Sequence, residues 1–495
     1  MTNNEQEFIL LLGASMMQLP ALKAIETLGY ASLVVDGNAH APLMSLADER
    51  ALIDLKDISA LMIYLDEFIE ERRLVAIFTA GTDFSYVVST LAERYQLPAH
   101  SKNAAMAATD KLRMRSMLHQ HGVRVPAFIE LPMGINEPTL EGLLRQAQLS
   151  EPWDVVIKPV DSMGARGVVR AHTLKEILHA GEEARAYSRS GKVIVEAYLD
   201  GPELSVDALV ADGKVYIHGI ADRHIFYPPY FIEMGHTIPS SLSNEEKQAI
   251  IEEFTKGVFA LGLHHGAAKG DIKLTADGVY IGEIAGRLSG GYMSGWTYPL
   301  SSGVNVTELA VKLALGQSIF EEEDVLVEQK SVCAERAFIS IPGEIAEILH
   351  LDAARKMEGV KEIFIRVKHG DRVHFPKNNV EKAGNVLAVA DSYAEAITLS
   401  EIARKEIFLR LKADDVATRD FLFGSGSTHL SSAFILGKDF NGNTREEIFV
   451  RYEAITGHQP KLYQPDRLLE FERAIEKGGL QGAVWYYDTF GALLA

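Results

Sequence analysis

The chain reads as a multidomain protein, α/β at its start and α+β beyond, on three observations. Strand and helix signals alternate through the first hundred residues in the order that builds a parallel sheet. After residue 150 the strands come in pairs around glycine-bearing turns. The length, 495 residues, suffices for about three domains with cores of their own.

Composition narrows the function classes. Hydrophobic residues make up 47% and charged residues 24% of the chain, an ordinary balance for a globular protein in water. A net charge of -19 opposes a nucleic-acid or anionic-membrane partner across the whole surface, while leaving room for a local cationic pocket. Cys333 is the sole cysteine, so no intrachain disulfide can form, and a reducing compartment is compatible. Glu5 and Glu7 precede Phe8-Ile-Leu-Leu-Leu12 where a signal peptide would be basic. No apolar run approaches the ~20 residues of a membrane helix. A cytoplasmic protein is expected.

Phe8 to Leu12 is a strand ending at Gly13, Leu19 to Leu28 is helical, and Gly29 stops it. Ala31 to Val35 is a second strand ending at Asp36, and Val75 to Thr79 another, before a helix reaching about Tyr95. Gly13-Ala-Ser-Met-Met-Gln18 has one glycine where a dinucleotide fingerprint needs three. Residues 1–107 are therefore expected to form a Rossmann-like domain that packs on a neighbour or holds part of a substrate. A helix capped by Thr109 or Asp110 then runs to about His121. Val155 to Ile157 leads into Lys158-Pro159 and the loop Val160-Asp-Ser162-Met-Gly164-Ala-Arg-Gly167-Val168. A strand ending in lysine, followed by small residues and glycines, can lay backbone N–H groups over phosphates, although no P-loop pattern occurs. After a helix near Thr173 to Arg189, two strands carry Glu196 and Glu203 on either side of a turn.

Gly266 to Arg287 reads as a hairpin. Ile272, Leu274, Tyr280 and Ile284 share one parity and Asp271, Lys273, Glu283 and Arg287 the other, so one face packs and one carries charge. A three-residue turn, Ala276-Asp277-Gly278, places Asp271 opposite Glu283 with Cβ atoms roughly 5 Å apart. Facing carboxylates destabilise a sheet unless positive charge lies between them. Lys273 and Arg287 could offset them, or a divalent cation could; with no Cys or His cluster, magnesium suits these oxygen donors best.

Taken in series, Lys111, Lys158, the glycine loop, the two acids after it and the hairpin resemble the ATP-grasp superfamily, in particular its carboxylate–amine ligases such as the L-amino-acid ligases. The resemblance covers roughly residues 5 to 410. It implies a pre-ATP-grasp Rossmann-like domain (1–107), an ATP-grasp subdomain with the glycine loop (108–190), a second with the metal hairpin (191–318), and a small C-terminal α+β capping domain (319–410). ATP and Mg2+, with Mn2+ possible, are the implied cofactors. Lys111 and Lys158 look like the phosphate-binding lysines, and Ser162, Gly164, Gly167 and Val168 like the loop that closes over the β- and γ-phosphates. Glu196, Ala197 and Leu199 resemble the linker that reads adenine, and Glu203 the acid that binds ribose. Asp271 and Glu283 resemble the magnesium ligands, and Arg287 the arginine that steadies the transferring phosphoryl group. Asp271 stands where many relatives carry Glu, and Ala285 where they carry Asn, which leaves one metal ligand fewer.

The stretch from Ala221 to Ser241 is expected to be a structured loop, and its Glu233-Met-Gly-His236 resembles a segment that touches the amino-acid substrate. Glu233 would bind an ammonium group and His236 would orient a substrate or act as a base. Gly290 and Gly291 would give a backbone approach to a carboxylate or phosphate. The implied function is an ATP-dependent ligase that joins a carboxylate to an amine through an acyl phosphate, with Lys158, His236 and Arg287 in catalytic roles. A bicarbonate- or formate-activating enzyme of the superfamily and a non-catalytic ATP-binding protein stay open as alternatives. Its partners would be small-molecule acids and amines, without nucleic acid or membrane, and a homodimer is open.

From Val332 strands and helices return: Val332 to Ile341, Ile345 to Ala354, Val360 to Val367, Asn385 to Ala390, then a helix from Ser392 to about Leu409. Residues 411–495 lie beyond the resemblance. Gly424-Ser-Gly-Ser-Thr428 reads as a linker, and the aromatic run from Gly482 to Phe490 is expected to dock on the body or form a subunit contact.

Overall fold

A computed structural model of the chain describes residues 6–319, 327–424, 445–458 and 465–490. Its first sheet is parallel, with the strands Glu49–Leu52, Ala31–Asp36, Glu7–Leu12 and Arg73–Phe78 side by side in that order. The apolar run at its centre is continuous because both faces are covered. Phe8, Leu10 and Leu12 pack with Leu61, Leu65 and Leu91, whereas Ile9 and Leu11 pack with Leu22, Ile25 and Val311.

The second sheet is antiparallel, in the order Phe128–Glu130, Val193–Ala197, Val155–Pro159 and Val169–Ala171. Helix Leu174–Tyr187 covers it, started by Thr173 and Glu176 in a reciprocal cap. Strand Val193–Ala197 pairs with both of its neighbours here, so it lies with the glycine loop and not, as a division at residue 190 would have it, with the hairpin.

The third sheet has eight strands, in the order Gly278–Ala285, Gly266–Thr275, Glu203–Ala211, Lys214–Phe226, Ile232–Ile238, Val332–Phe338, Gly384–Ala390 and Val360–Ile365. The strands from the segment expected to cap the site therefore extend the hairpin sheet itself. The loop expected from Ala221 to Ser241 is mostly strand: Asp222 pairs with Thr237 and Phe226 with Ile232, leaving the Tyr227 to Phe231 turn with its two prolines. Gly235 makes this packing possible, since a Cβ there would overlap the Glu335 carbonyl on the next strand.

The helix expected to reach Leu409 ends at Glu406, because Phe408–Leu411 leaves it to pair with Gly343–Leu349 in a small sheet completed by Arg372–Val373. Helices Val416–Phe423, Arg445–Thr456 and Pro465–Phe490 cover that sheet. Their Leu422, Tyr452, Phe471, Trp485 and Tyr486 form one core with Ile341, Ile345 and Leu411. The aromatic C-terminal run thus docks on the body. Of the linker reading, Gly424 ends a helix, while Ser425 to Thr428 lie outside the described residues. Among the described residues no helix is long and apolar enough to cross a membrane.

Candidate active site

A cavity of about 360 Å³ opens where the second and third sheets and the N-terminal domain meet. Its floor is the hairpin. Asp271 faces Glu283, as the sequence predicts, but by a different register. The turn has two residues, Ala276 and Asp277, because Thr275 pairs with Gly278; the missing residue returns as a bulge at Gly282, between Ile281 opposite Ile272 and Glu283 opposite Asp271. The bulge also changes which residues pack. Val279 and Ile281 are buried, and Tyr280, expected on the packed face, lies across from Lys273.

Cations surround both acids. Asp271 bonds Arg223 Nη1 at 2.7 Å and contacts Lys269, and Glu283 lies 3.4 Å from Lys111 Nζ. Burial alone would raise the Glu283 carboxyl, yet Lys111, Lys269 and Arg287 hold it down at about 2. Two ionised oxygen donors facing one cavity fit a hard divalent cation. Among the described residues no group of three or more His, Cys, Asp or Glu could hold a metal by itself, so further ligands would come from phosphate oxygens and water.

At the glycine-loop end, Asp110 caps helix Lys111–Gln120 and fixes Lys111 in its first turn, from which Nζ donates to the Ser162 carbonyl at 2.9 Å. Lys158 Nζ donates to Glu196 at 2.7 Å, and the other Glu196 oxygen meets Arg115 Nε at 2.7 Å. Burial would raise Glu196, but Arg115 and Lys158 outweigh it and lower the carboxyl. Ser162, Met163, Gly164, Ala165 and Val168 line the cavity. Gly167 supports them from behind: its φ is +69°, and a Cβ there would come within 2.8 Å of the Tyr187 ring.

Arg287 is 8% exposed and lines the same cavity. It donates to the Leu288 carbonyl, its Nε has no partner, and among the described residues it forms no ion pair. Gly290 and Gly291 line the cavity beside it, with Gly290 packed on the backbone of Gly81 from the N-terminal domain. At the far end lie Ala197, Tyr198 and Leu199, with the Arg170 guanidinium 3.4 Å from the Tyr198 ring centre. Glu203 is held by Arg223 at 2.6 Å and Lys273 at 3.4 Å.

Two expectations change. Glu196 faces inward, and both oxygens of its carboxylate are taken up by Lys158 and Arg115. His236 does not line the cavity: it is 1% exposed, with Nε2 2.9 Å from Thr297 Oγ1 and Nδ1 3.2 Å from Glu335. A bulge at Met234 puts Glu233 and His236 on one face, 4.0 Å apart, but Thr297 and Glu335 cover the imidazole and leave only Glu233 on the cavity wall.

Sequence reasoning missed Arg223, Lys269, Arg366, Asn379 and Lys382, all on the cavity wall. Arg223 joins Glu203, Asp271 and Glu233, the last at 3.0 Å, and carries Glu233 far below the usual carboxylate range against the effect of burial. The signal was present: an arginine inside an alternating strand needs partners.

Comparison with known proteins agrees with this geometry. Residues 151–295 match the ATP-grasp domain family, and residues 337–412 match the L-amino acid ligase C-terminal domain 2. An uncharacterized protein of Sinorhizobium fredii is 22% identical over 365 residues, 72% of this chain and 73% of that one. The carbamoyl phosphate synthase large chain of Thermotoga maritima is 26% identical over 346 residues, 67% of this chain but 29% of its own length. Among solved structures, L-amino acid ligase from Bacillus licheniformis superposes with a TM-score of 0.70 at 21% identity, covering 83% of this chain and all (100%) of that one. Phosphoribosylglycinamide synthetase from Anaerococcus prevotii gives 0.65 at 21% identity, covering 82% and 100%. The fold is the ATP-grasp fold, and these solved neighbours are ligases.

Proposed function

We propose that this chain, built on the ATP-grasp fold, is an ATP-dependent ligase that joins a carboxylate to an amine through an acyl phosphate. The observation that carries the reading is Arg287, a buried guanidinium with no ion pair among the described residues, in one cavity with Lys111, Lys158 and the glycine loop. Such a group awaits an anion.

In this reading the triphosphate lies under Ser162 to Val168 with Lys111 and Lys158 on its oxygens, and the base rests against the backbone of Ala197 to Leu199 with Glu203 on the ribose. Asp271 and Glu283 would hold a magnesium ion, which supplies charge neutralisation to the phosphates when bound. A substrate carboxylate oxygen attacks the γ-phosphorus, the bond to the ADP oxygen breaks, and Arg287 stabilises the charge spread over the moving group. The amine then attacks the acyl carbon, loses a proton, and phosphate leaves with its bonding electrons. Glu233 would bind the ammonium group of an amino-acid substrate, and Gly290 and Gly291 would approach its carboxylate. His236, covered from the cavity, ties the strand it shares with Glu233 to Glu335 and Thr297. The lone buried thiol suits a reducing cytoplasm.

The test is ADP release over a panel of paired carboxylates and amines, with the amide identified by mass. Release that needs both members of a pair supports the ligase. Release driven by bicarbonate alone, or nucleotide binding with no release over the whole panel, overturns it.

A further inference from the structure

Residues 377–382 bring Asn379, Val380 and Lys382 from the C-terminal region to the cavity beside Arg366, and their hydrogen bonds reach three separate parts of the site. The Asn379 N–H donates to the Gly164 carbonyl in the glycine loop at 3.0 Å. Its Oδ1 accepts from the Glu233 N–H at 2.8 Å, and its carbonyl accepts from Arg366 Nη1 at 3.2 Å. Lys382 Nζ donates to the Glu233 carbonyl at 2.7 Å, so this one segment takes both backbone polar groups of Glu233. The segment also holds its own shape. Lys377 N and Asn378 Nδ2 each bond the Glu381 carboxylate at 2.8 Å, Val380 N bonds Asn378 Oδ1 at 3.0 Å, and Asn378 and Lys382 are buried.

We propose that Asn379 is a positioning residue that ties closure of the glycine loop to the placement of Glu233. The proposal rests on the ligase reading and adds to it a reason for the two events to occur together. From Glu233 the connection continues through Arg223 to Asp271 on the hairpin. A glycine loop that closed over nucleotide alone would allow water to take the phosphoryl group when no acceptor is aligned. With Asn379 between them, the closed loop is most stable when the Glu233 strand is in place, because one residue supplies a donor to the first and an acceptor to the second. Asn379 touches neither reacting atom in this scheme; it sets how much ATP is consumed for each amide formed.

The test compares Asn379→Ala, which loses the acceptor for Glu233, with Asn379→Asp, which keeps it. Hydrogen exchange of residues 160–169 is followed without and with magnesium and a β,γ-imido analogue of ATP, and ADP released per amide is measured with the best acid–amine pair. Asn379→Ala is expected to weaken analogue-dependent protection of the loop about fivefold, what one net hydrogen bond is worth. It should also raise the ADP-to-amide ratio above one, while Asn379→Asp restores both. Wild-type protection and coupling in an Asn379→Ala protein that melts with the wild type overturns the proposal, as does equal loss in both variants or an absence of analogue-dependent protection in the wild type. Should Asn379→Ala not fold, Asn379→Asp decides: wild-type protection supports the proposal and its loss overturns it. A wild-type protein that is protected by the analogue but forms no amide with any pair removes the ligase reading alone, since the exchange comparison still judges Asn379.

Discussion

Glu196 shows how a cavity lysine is kept in place. Its carboxylate is buried between Arg115, which is fully buried, and Lys158, so neutralising it strands a guanidinium away from water. Glu196→Gln is expected to cost about 3 kcal/mol in urea unfolding and to lower kcat/KM for ATP, because Lys158 loses its anchor. Glu283→Gln should abolish ADP release while the far-UV spectrum stays that of the wild type, with a lower melting temperature because Lys111, Lys269 and Arg287 lose their anion; retained activity would refute the metal assignment. Asp207 behaves in the opposite way to these acids. Burial raises it to about 6, although Ser289 donates to Oδ1 from both N–H and Oγ–H, and Oδ2 has no partner. The folded state then binds the proton more tightly than the unfolded chain, so stability falls as pH rises from about 4 through 6, by about 3 kcal/mol from this group. Unfolding free energies of wild type and Asp207→Asn, compared across that range, should diverge by this amount; parallel curves would show that Asp207 ionises freely. Lys111, Lys158, Arg287 and both hairpin acids, singled out in the sequence, do line one cavity. Lys158 was legible because a charge closing an apolar strand needs a reason to be there, the hairpin acids because a turn sets them opposite each other, and Lys111 and Arg287 because they fall in series with those motifs. Arg223 and Lys269 lie inside strands, where only the three-dimensional register shows which acids they meet. His236 was misplaced because a four-residue pattern names residues without saying which of them Thr297 and Glu335 will cover.

Elements carry a similar lesson. The hairpin register was read correctly at Asp271 and Glu283 through two compensating differences, a turn one residue shorter than expected and a bulge one residue longer. Period-two patterning marks a strand but is blind to a glycine bulge, so Tyr280 fell on the wrong face. Three strands of the parallel sheet were legible because they are largely apolar, whereas the half-charged edge strand Glu49–Leu52 was not, nor was Phe408–Leu411, because four residues after a helix continue its periodicity. The glycine loop permits an element-scale prediction. Gly167 needs its positive φ, and a side chain there would press on Tyr187 and Ala184. Gly167→Ala should displace the loop by about 1–2 kcal/mol of local strain, raising KM for ATP several-fold with little change in melting temperature. Steady-state kinetics beside a thermal melt separates this from general unfolding, and an unchanged KM would show that the loop tolerates the displacement.

At the scale of the whole molecule, the C-terminal helices decide whether the capping sheet can exist. Tyr452, Phe471, Trp485 and Tyr486 are all buried against Ile341, Ile345 and Leu411, and each buried side chain of this kind contributes about 1.5–3 kcal/mol. Polar groups tie the same helix down: Trp485 Nε1 donates to the Lys412 carbonyl at 3.1 Å, Gln481 accepts from the Ile341 N–H at 3.0 Å, and Asp488 receives two bonds from Arg410 at 2.6 and 2.7 Å. Together these contributions are comparable with the entire stability of a typical domain, about 5–15 kcal/mol. The strand they cover, Gly343–Leu349, follows directly on Val332–Phe338 of the eight-stranded sheet, whose next members hold Arg366 and Asn379 to the cavity. A chain ending at Gly424 is therefore expected to aggregate or to lose cooperative unfolding, and with it ADP release, even though every cavity-lining residue is retained. Trp485→Ala in the full chain should reproduce a milder form, a loss of about 3–5 kcal/mol in urea unfolding with the cavity intact. Light scattering, a thermal melt and ADP release on the two proteins test the argument; a truncated chain that stays monodisperse, melts with the full-length protein and still releases ADP would show that the C-terminal helices are not needed to hold the site together.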